Sequence, residues 1–253
     1  MRANLIRCSR ILGGTQKDAL VFPYLSGLQF SVAVLKDRGW DALPAIFDKP
    51  PASTQQIMHP DLYLQGVMPA KVELPAGKGL ISSDWKKLDE NDMGEFGVQE
   101  ILKQYLPKPR SAAIAASWGG DRYAIFENQK NKRTMLEFRV HLANEADAAR
   151  FFGAYSEVLD AKYSQKTNLM RRPNFFSFDT PEDGVYLRCM NSDCFVLEGG
   201  TRAMFDHMTM EMGWPAGPVV PMNPGDTHLK ETAFPLIPPL IADAGRPAQP
   251  AAQ

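Results

Sequence analysis

Apolar positions in the first part of the chain recur with helical spacing and predict a helical subdomain with long loops over residues 1–115. The stretch 22–38 is an apolar run that ends in three charged residues, which predicts a helix with Pro23 in its first turn and Gly39 just beyond its end. The shorter elements predicted after it are a helix over Trp40–Phe47, a helix that starts at Thr54 and ends at His59, a strand over Lys71–Leu74, and a helix over 92–106 that Pro107 and Pro109 stop.

Residues 116–212 have a sequence pattern typical of strands, because short apolar and β-branched runs alternate there with turn residues. The elements predicted, in the order ββαβββα, are strands at Arg122–Phe126 and Thr134–Val140, a helix from Asn144 to about Tyr163, strands at Phe175–Phe178, Val185–Cys189 and Cys194–Glu198, and a helix capped by Thr201. This order predicts an α+β fold, in which the helical subdomain is followed by an antiparallel sheet covered by helices.

Residues 213–253 form the third region, and nine of the 20 prolines lie from Trp214 onward. Burial in such a segment offsets little of the entropy lost on ordering, so we expect a Pro-rich tail that is extended or disordered.

Composition narrows the classes of function. The net charge is −1 over 253 residues, which disfavours an electrostatically driven nucleic-acid binder. No apolar stretch approaches the ~18 residues needed to cross a bilayer, so no membrane span is expected. The first residues show no apolar core of a signal peptide, and the compartment stays open.

Three cysteines are present, and Cys189 and Cys194 flank the predicted hairpin turn 190–193. Facing residues on antiparallel strands lie close enough for a disulfide, while two reduced, half-buried thiols are the alternative. A redox-active pair is a weaker option, because the spacing differs from CxxC.

The run Pro50–Pro60 concentrates several signals. Ser53 and Gln56 form a capping box, and Pro60 disfavours helical backbone at the preceding His59. The flanking prolines leave His59 little freedom, which suits a preorganised binding site. The alternative, which spacing alone favours, is a structural histidine that hydrogen-bonds the loop around Asp61 and Tyr63.

The run Trp118–Tyr123 places Gly119 and Gly120 before Asp121 and Arg122. A strand is predicted after these glycines, so they lack the helix that a phosphate-binding loop requires. The glycines are expected to adopt positive φ in a tight turn, with Asp121 or Arg122 tying the turn to a neighbour. A binding role for Arg122 is the alternative.

Metal-binding patterns are sparse. The four histidines are all more than one helical turn apart, and HExxH is absent. His207 and Glu211 lie four residues apart on a predicted helix and form the one weak candidate pair, although such pairs are more often surface contacts.

The two runs also carry a resemblance. The residues concerned are Phe22-Pro23-Tyr24 with Gly27, Gly39-Trp40, Pro50-Pro51-x-Ser53-Thr54-x-Gln56-Ile57-x-His59-Pro60-x-x-Tyr63, Met93-Gly94-Glu95, and Trp118–Arg122. This pattern resembles the carboxyl-terminal half of bacterial zincin-like proteins, a metallopeptidase-like family of gluzincin type. The match covers roughly residues 20–200, and Gln55 stands where the family pattern has glutamate.

The resemblance implies an HExxH motif and a further glutamate ligand in a part that precedes the matched half. This chain would then hold no metal itself, zinc would enter only with the missing amino-terminal half or a partner chain, and His59, Tyr63, Asp121 and Arg122 would be candidate cleft residues. We therefore expect a chain that is inactive as a peptidase on its own.

The alternative is a stand-alone, non-catalytic module that binds a peptide or another ligand around His59, Tyr63 and Arg122. A closed core around residues 20–60 would favour that module. A broad exposed apolar patch on the helix 22–38 would instead indicate a missing partner.

Overall fold

A computed structural model describes residues 16–77, 81 and 84–215. Within these ranges the chain forms eight helices and one seven-stranded antiparallel sheet, so the predicted α+β class is confirmed. The helices are α1 (Gln16–Arg38), α2 (Ala42–Asp48), α3 (Thr54–Met58), α4 (Pro60–Leu64), α5 (Gly94–Lys103), α6 (Lys108–Ala115), α7 (Glu145–Lys162) and α8 (Arg202–Glu211). The strands are β1 (Trp85–Asn91), β2 (Trp118–Asn128), β3 (Thr134–Leu142), β4 (Thr167–Arg172), β5 (Phe175–Asp179), β6 (Gly184–Met190) and β7 (Asp193–Gly200).

The sheet has the order β1-β2-β3-β7-β6-β5-β4, so β1 and β4 are its edges. The sequence pattern did not predict either edge strand. Both are rich in polar side chains, and nearly all positions in each are exposed. Charged residues on an edge oppose pairing with other chains, and they also erase the apolar alternation that marks a half-buried strand.

One face of the sheet is covered by α7, with α5 and α6 beside it. Asn144 caps α7 by accepting the Asp147 N–H at 2.9 Å, as the sequence predicted. The inner side of α7 buries Phe151 completely, and its ring lies against Phe138 of β3. This is the larger of two apolar cores.

The opposite face is covered in two different ways. Over β5, β6 and β7 lies α8, whose Phe205 packs on Phe175, Tyr186 and Phe195. Over β1, β2 and β3 runs the segment 65–77, which contains no strand, so the strand predicted at Lys71–Leu74 was wrong. The segment runs over the sheet face, and single hydrogen bonds such as Arg139 Nη1 to the Glu73 carbonyl fix it there.

Two smaller details differ from the sequence prediction. Pro109 lies in the first turn of α6, so the proline pair that ends one helix also begins the next. The predicted tail starts late, because Trp214 is buried and Arg188 donates to the Pro215 carbonyl at 2.7 Å. The rest of that tail, 216–253, lies outside the described residues.

Cys189 and Cys194 face each other across the β6–β7 hairpin and are joined by a disulfide. The disulfide therefore lies within one hairpin, at the end of two central strands.

Candidate functional site

The two runs singled out in the sequence, Pro50–Pro60 and Trp118–Tyr123, meet at the amino end of α5. His59, between α3 and α4, places its Nε2 2.8 Å from Glu95 Oε1. The Glu95 side chain is only 1% exposed, whereas that of His59 is 40% exposed. Burial raises the pKa of Glu95, and the contact with His59 opposes that shift. The partner of His59 is thus Glu95, not the loop around Asp61 and Tyr63.

Asp121 reaches the same helix end from β2. Its carboxylate accepts the backbone N–H groups of Met93 and Gly94 and the indole N–H of Trp118, each at 2.8 Å. Burial raises the pKa of Asp121, and the three donors oppose that shift. A carboxylate at the first free N–H groups of a helix acts as a cap, here supplied by a distant strand.

The run 50–60 is fixed by its own polar side chains. Ser53 Oγ accepts the Gln56 N–H at 3.3 Å, as the capping box predicts. Gln56 is buried and donates to the Val67 carbonyl at 2.6 Å. Thr54 Oγ1 accepts the Phe96 N–H at 3.2 Å, and the Gln55 amide donates to the Trp118 carbonyl. We call Thr54, Gln55, His59, Glu95, Trp118 and Asp121 the motif cluster.

Two glycines allow this close packing. Gly94 has a φ of +70°, and a Cβ there would collide with Thr54 Oγ1. A Cβ on Gly120 would collide with the Ala70 carbonyl oxygen. The expected tight turn at Gly119 and Gly120 is not formed, because both belong to β2 and neither has positive φ. Their role is to admit neighbouring backbone.

The four candidate cleft residues do not converge on one cleft. His59 and Asp121 are linked through the start of α5. Tyr63 donates its hydroxyl to the Lys49 carbonyl at 2.8 Å, and its ring packs edge-on against Phe30. Arg122 pairs with Glu90 of β1 at 3.1 Å and, as the next residue along the strand, points to the other sheet face from Asp121.

His207 and Glu211 lie on one side of α8, with Nε2 and Oε1 3.0 Å apart. The other Glu211 oxygen accepts the Gly77 N–H at 3.0 Å. Within 16–77, 81 and 84–215, no group of three or more His, Cys, Asp or Glu side chains is placed to hold a metal ion. The pair therefore joins α8 to the segment 65–77.

The helix α1 has two apolar sides. One side packs on the body, with Phe30 and Val34 buried and Phe22 stacked on Phe96 at 4.1 Å. The other side is exposed, and Leu25 and Leu28 there are 59% and 63% exposed. We call the exposed apolar residues Leu20, Val21, Tyr24, Leu25, Leu28 and Val32 the outer stripe.

By length and composition, Asp18–Arg38 is also apolar enough to cross a membrane, which the sequence analysis did not anticipate. However, both ends of the helix contact the body. Asp18 pairs with Lys103 of α5, and Arg38 donates to the Leu64 carbonyl at 2.7 Å. These contacts hold both ends of the helix against the body.

Sequence reasoning missed Glu95 as the partner of His59. The sequence did hold an indication of its role, because Glu95 belongs to the stretch Met93-Gly94-Glu95, which carries part of the resemblance and lies at the start of a predicted helix. What could not be foreseen is that α3 and α5, nearly forty residues apart in the chain, lie side by side.

Comparison with protein families adds one finding. Residues 83–209, half of the chain, match the model of a family described as a domain of unknown function, DUF8575. The chain belongs to this family. The matched residues of the DUF8575 domain run from β1 into α8 and leave out α1 to α4. No curated protein and no solved structure matched the chain.

Proposed function

We propose that this chain is the carboxyl-terminal, non-ligand half of a zincin-like protein and does not hydrolyse peptides by itself. The motif resemblance at residues 50–63, 93–95 and 118–122 supports the first statement. The sequence supports the second, because HExxH is absent and the four histidines are isolated from one another. Nothing in such a set activates a water molecule in the way that zinc peptidases require.

The observation that carries the proposal is the outer stripe of α1. From Ala19 to Leu35 the helix has no charged residue, yet only its inner side is buried. A helix that is apolar on all sides belongs in a protein core or in a membrane. Both ends of α1 contact the body, which favours the protein core. Burying side chains such as Leu25 and Leu28 would contribute roughly 1–2 kcal/mol each. The outer stripe is therefore the surface on which the metal-bearing half packs.

The motif cluster supports the same proposal. It fixes α3 and α4 against α5, and these helices hold the inner side of α1 through the Phe22–Phe96 and Phe30–Tyr63 contacts. The residues that carry the family resemblance thus orient α1. In this proposal their role is to present the outer stripe in a fixed position.

The experiment is co-expression of the chain with a polypeptide that carries the zincin HExxH motif and its downstream glutamate ligand. We expect a stable one-to-one complex that binds stoichiometric zinc. The double variant Leu25→Asp/Leu28→Asp should abolish the complex and leave the fold intact, since both side chains are exposed. Leu169→Asp is the matched control, because Leu169 is 53% exposed on edge strand β4 and should not affect the complex.

Three outcomes would contradict the proposal. The outer stripe could mediate a homodimer that excludes the HExxH polypeptide. It could bind lipid vesicles in preference to that polypeptide. The isolated chain could also bind zinc stoichiometrically and cleave peptides, which would give it a metal site of its own.

The alternative function, a stand-alone ligand-binding module, has one observation in its favour. His59, Tyr63 and Arg122 do not share a cleft, but Arg122 lines a separate cavity on the sheet.

A further inference from the structure

A cavity of about 720 Å³ lies between the sheet and residues 71–77, on the face opposite α7. Its floor is formed by β1, β2 and β3. In the register of these strands, Glu90 is opposite Ala124 and Ala124 is opposite Glu137. The residue between the two carboxylates, Ala124, is small and fully buried, and both Glu90 and Glu137 line the cavity.

Glu137 is the unusual residue of this floor. It is 1% exposed, and its Oε1 has no hydrogen-bond partner. Burial raises the pKa of Glu137 to about 8, Glu90 and Glu211 add to the shift, and Lys87 opposes it. The carboxyl group is therefore largely protonated at pH 7 and can donate one hydrogen bond. A buried polar group without a partner is costly, so a partner in the cavity would be favourable.

The rim of the cavity is positively charged. A β-bulge between Lys87 and Asp89 brings Lys87 and Glu90 onto one side of β1, where Glu90 pairs with both Lys87 and Arg122. Lys71 and Glu73 form a further exposed pair in the roof. Among the residues that line the cavity, three cations and two ionised carboxylates leave a net charge of +1 when Glu137 is protonated. Glu211 of α8 is not part of the lining, but its charge also acts on Glu137.

We propose that this cavity binds a small organic carboxylate. Its anionic group would lie at the rim, with Arg122 and Lys87, and a second oxygen would accept a hydrogen bond from Glu137 at the floor. An anion suits the rim, because guanidinium and ammonium groups there are only partly neutralised by Glu90. The site is independent of the outer stripe and needs no partner chain.

The test uses the full chain at pH 7 and three probes of similar length: succinate, its neutral analogue succinamide, and the cationic 1,4-diaminobutane. We expect saturable binding of succinate in a calorimetric titration, at least roughly tenfold tighter than that of succinamide. Arg122→Gln should weaken succinate binding by a similar factor. Lys130→Gln is the control, because Lys130 lies in the β2–β3 turn and pairs with Asp84 outside the cavity.

The role of Glu137 has its own readout. The charged groups that act on it are Lys87 and Glu90 on β1 and Glu211 on α8. Arg122 and Arg139 form a cross-strand pair on the same sheet face, and all five groups are retained in Glu137→Gln. The amide of that variant still donates a hydrogen bond, so succinate should still bind. In the wild-type chain, affinity should fall as pH rises through about 8, where Glu137 becomes an anion. In Glu137→Gln the profile should be flat over the same range.

The proposal is overturned if 1,4-diaminobutane binds more tightly than succinate, or if no probe binds saturably. It is also overturned if Glu137→Gln and the wild-type chain share one pH profile. Circular dichroism of each variant establishes that it is folded. Because no metal-bearing half is added, these results are separate from those that test the proposed function.

Discussion

The two longest helices, α1 and α7, differ in how completely the chain buries them. In α7 the apolar residues lie on one side, which is buried against the sheet, and the other side is polar. In α1 apolar residues occur on both sides, and the body covers only one of them. The apolar side of α7 is therefore fully packed within the described residues, whereas one apolar side of α1 stays exposed there.

Two buried glutamates show the same contrast on a smaller scale. Glu95 pairs its Oε1 with His59, within a set of contacts that includes both sequence motifs, although its Oε2 is buried without a hydrogen-bond partner. Glu137 has no hydrogen-bonding group at its Oε1, and an open cavity lies next to it. The predictions below test whether the completed and the open regions respond differently to substitution.

The largest effect is expected for the buried side of α7. Phe151→Ala removes a fully buried ring, and we expect a loss of about 3–5 kcal/mol in the free energy of unfolding. Leu25→Ala in the outer stripe should change it by less than about 0.5 kcal/mol. Urea denaturation of both variants measures the contrast. Equal losses would mean that α1 is already covered in the isolated chain.

The next effect is the pH dependence caused by Glu137. Its pKa in the folded chain is about 8, against a usual value of 4.5, so the folded state holds the proton more tightly than the unfolded state. The stability this contributes is fully present below about pH 4.5 and is lost as pH rises towards 8. As pH rises from about 5 to about 8, the free energy of unfolding of Glu137→Gln should therefore increase relative to that of the wild type by on the order of 3 kcal/mol.

Denaturation curves of the two proteins at several pH values check this prediction. If the difference in the free energy of unfolding between the two proteins stayed constant across this pH range, the pKa of Glu137 would be close to its usual value, and the prediction would be wrong.

A smaller effect is expected in the motif cluster. His59→Ala removes the hydrogen-bond partner of the buried Glu95, and we expect a loss of about 1–2 kcal/mol in the free energy of unfolding. The loss is moderate, because His59 is partly exposed and water can replace its ring. Tyr63→Phe removes one exposed hydrogen bond, to the Lys49 carbonyl, and should cost less than about 0.5 kcal/mol. If the two variants lost equal stability, the link between His59 and Glu95 would not matter to the fold.

Most of the fold was predictable, because caps and apolar alternation act locally. Asn144, Ser53 and Thr201 each cap the helix that the sequence predicts there. The edge strands β1 and β4 were not predictable, since their side chains are exposed and lack alternation. The strand predicted at Lys71–Leu74 was wrong because single long-range hydrogen bonds, not a neighbouring strand, hold this segment.

The sites were harder to predict than the fold. Asp121 and Arg122 are adjacent in sequence but lie on opposite faces of the sheet, so their joint assignment to one cleft has no geometric basis. Glu137 looks like an ordinary strand residue. Its character depends on its burial and on charged residues of β1 and α8, and both relations exist only in the folded chain.

Hydrogen–deuterium exchange of α1, with and without an HExxH-bearing zincin polypeptide, tests the central claim most directly. We predict that residues 20–32 exchange readily in the isolated chain and become protected in the complex, while α7 exchanges equally slowly in both. Unchanged exchange across residues 20–32 in the presence of that polypeptide would contradict the account, and so would full protection of α1 in the isolated chain.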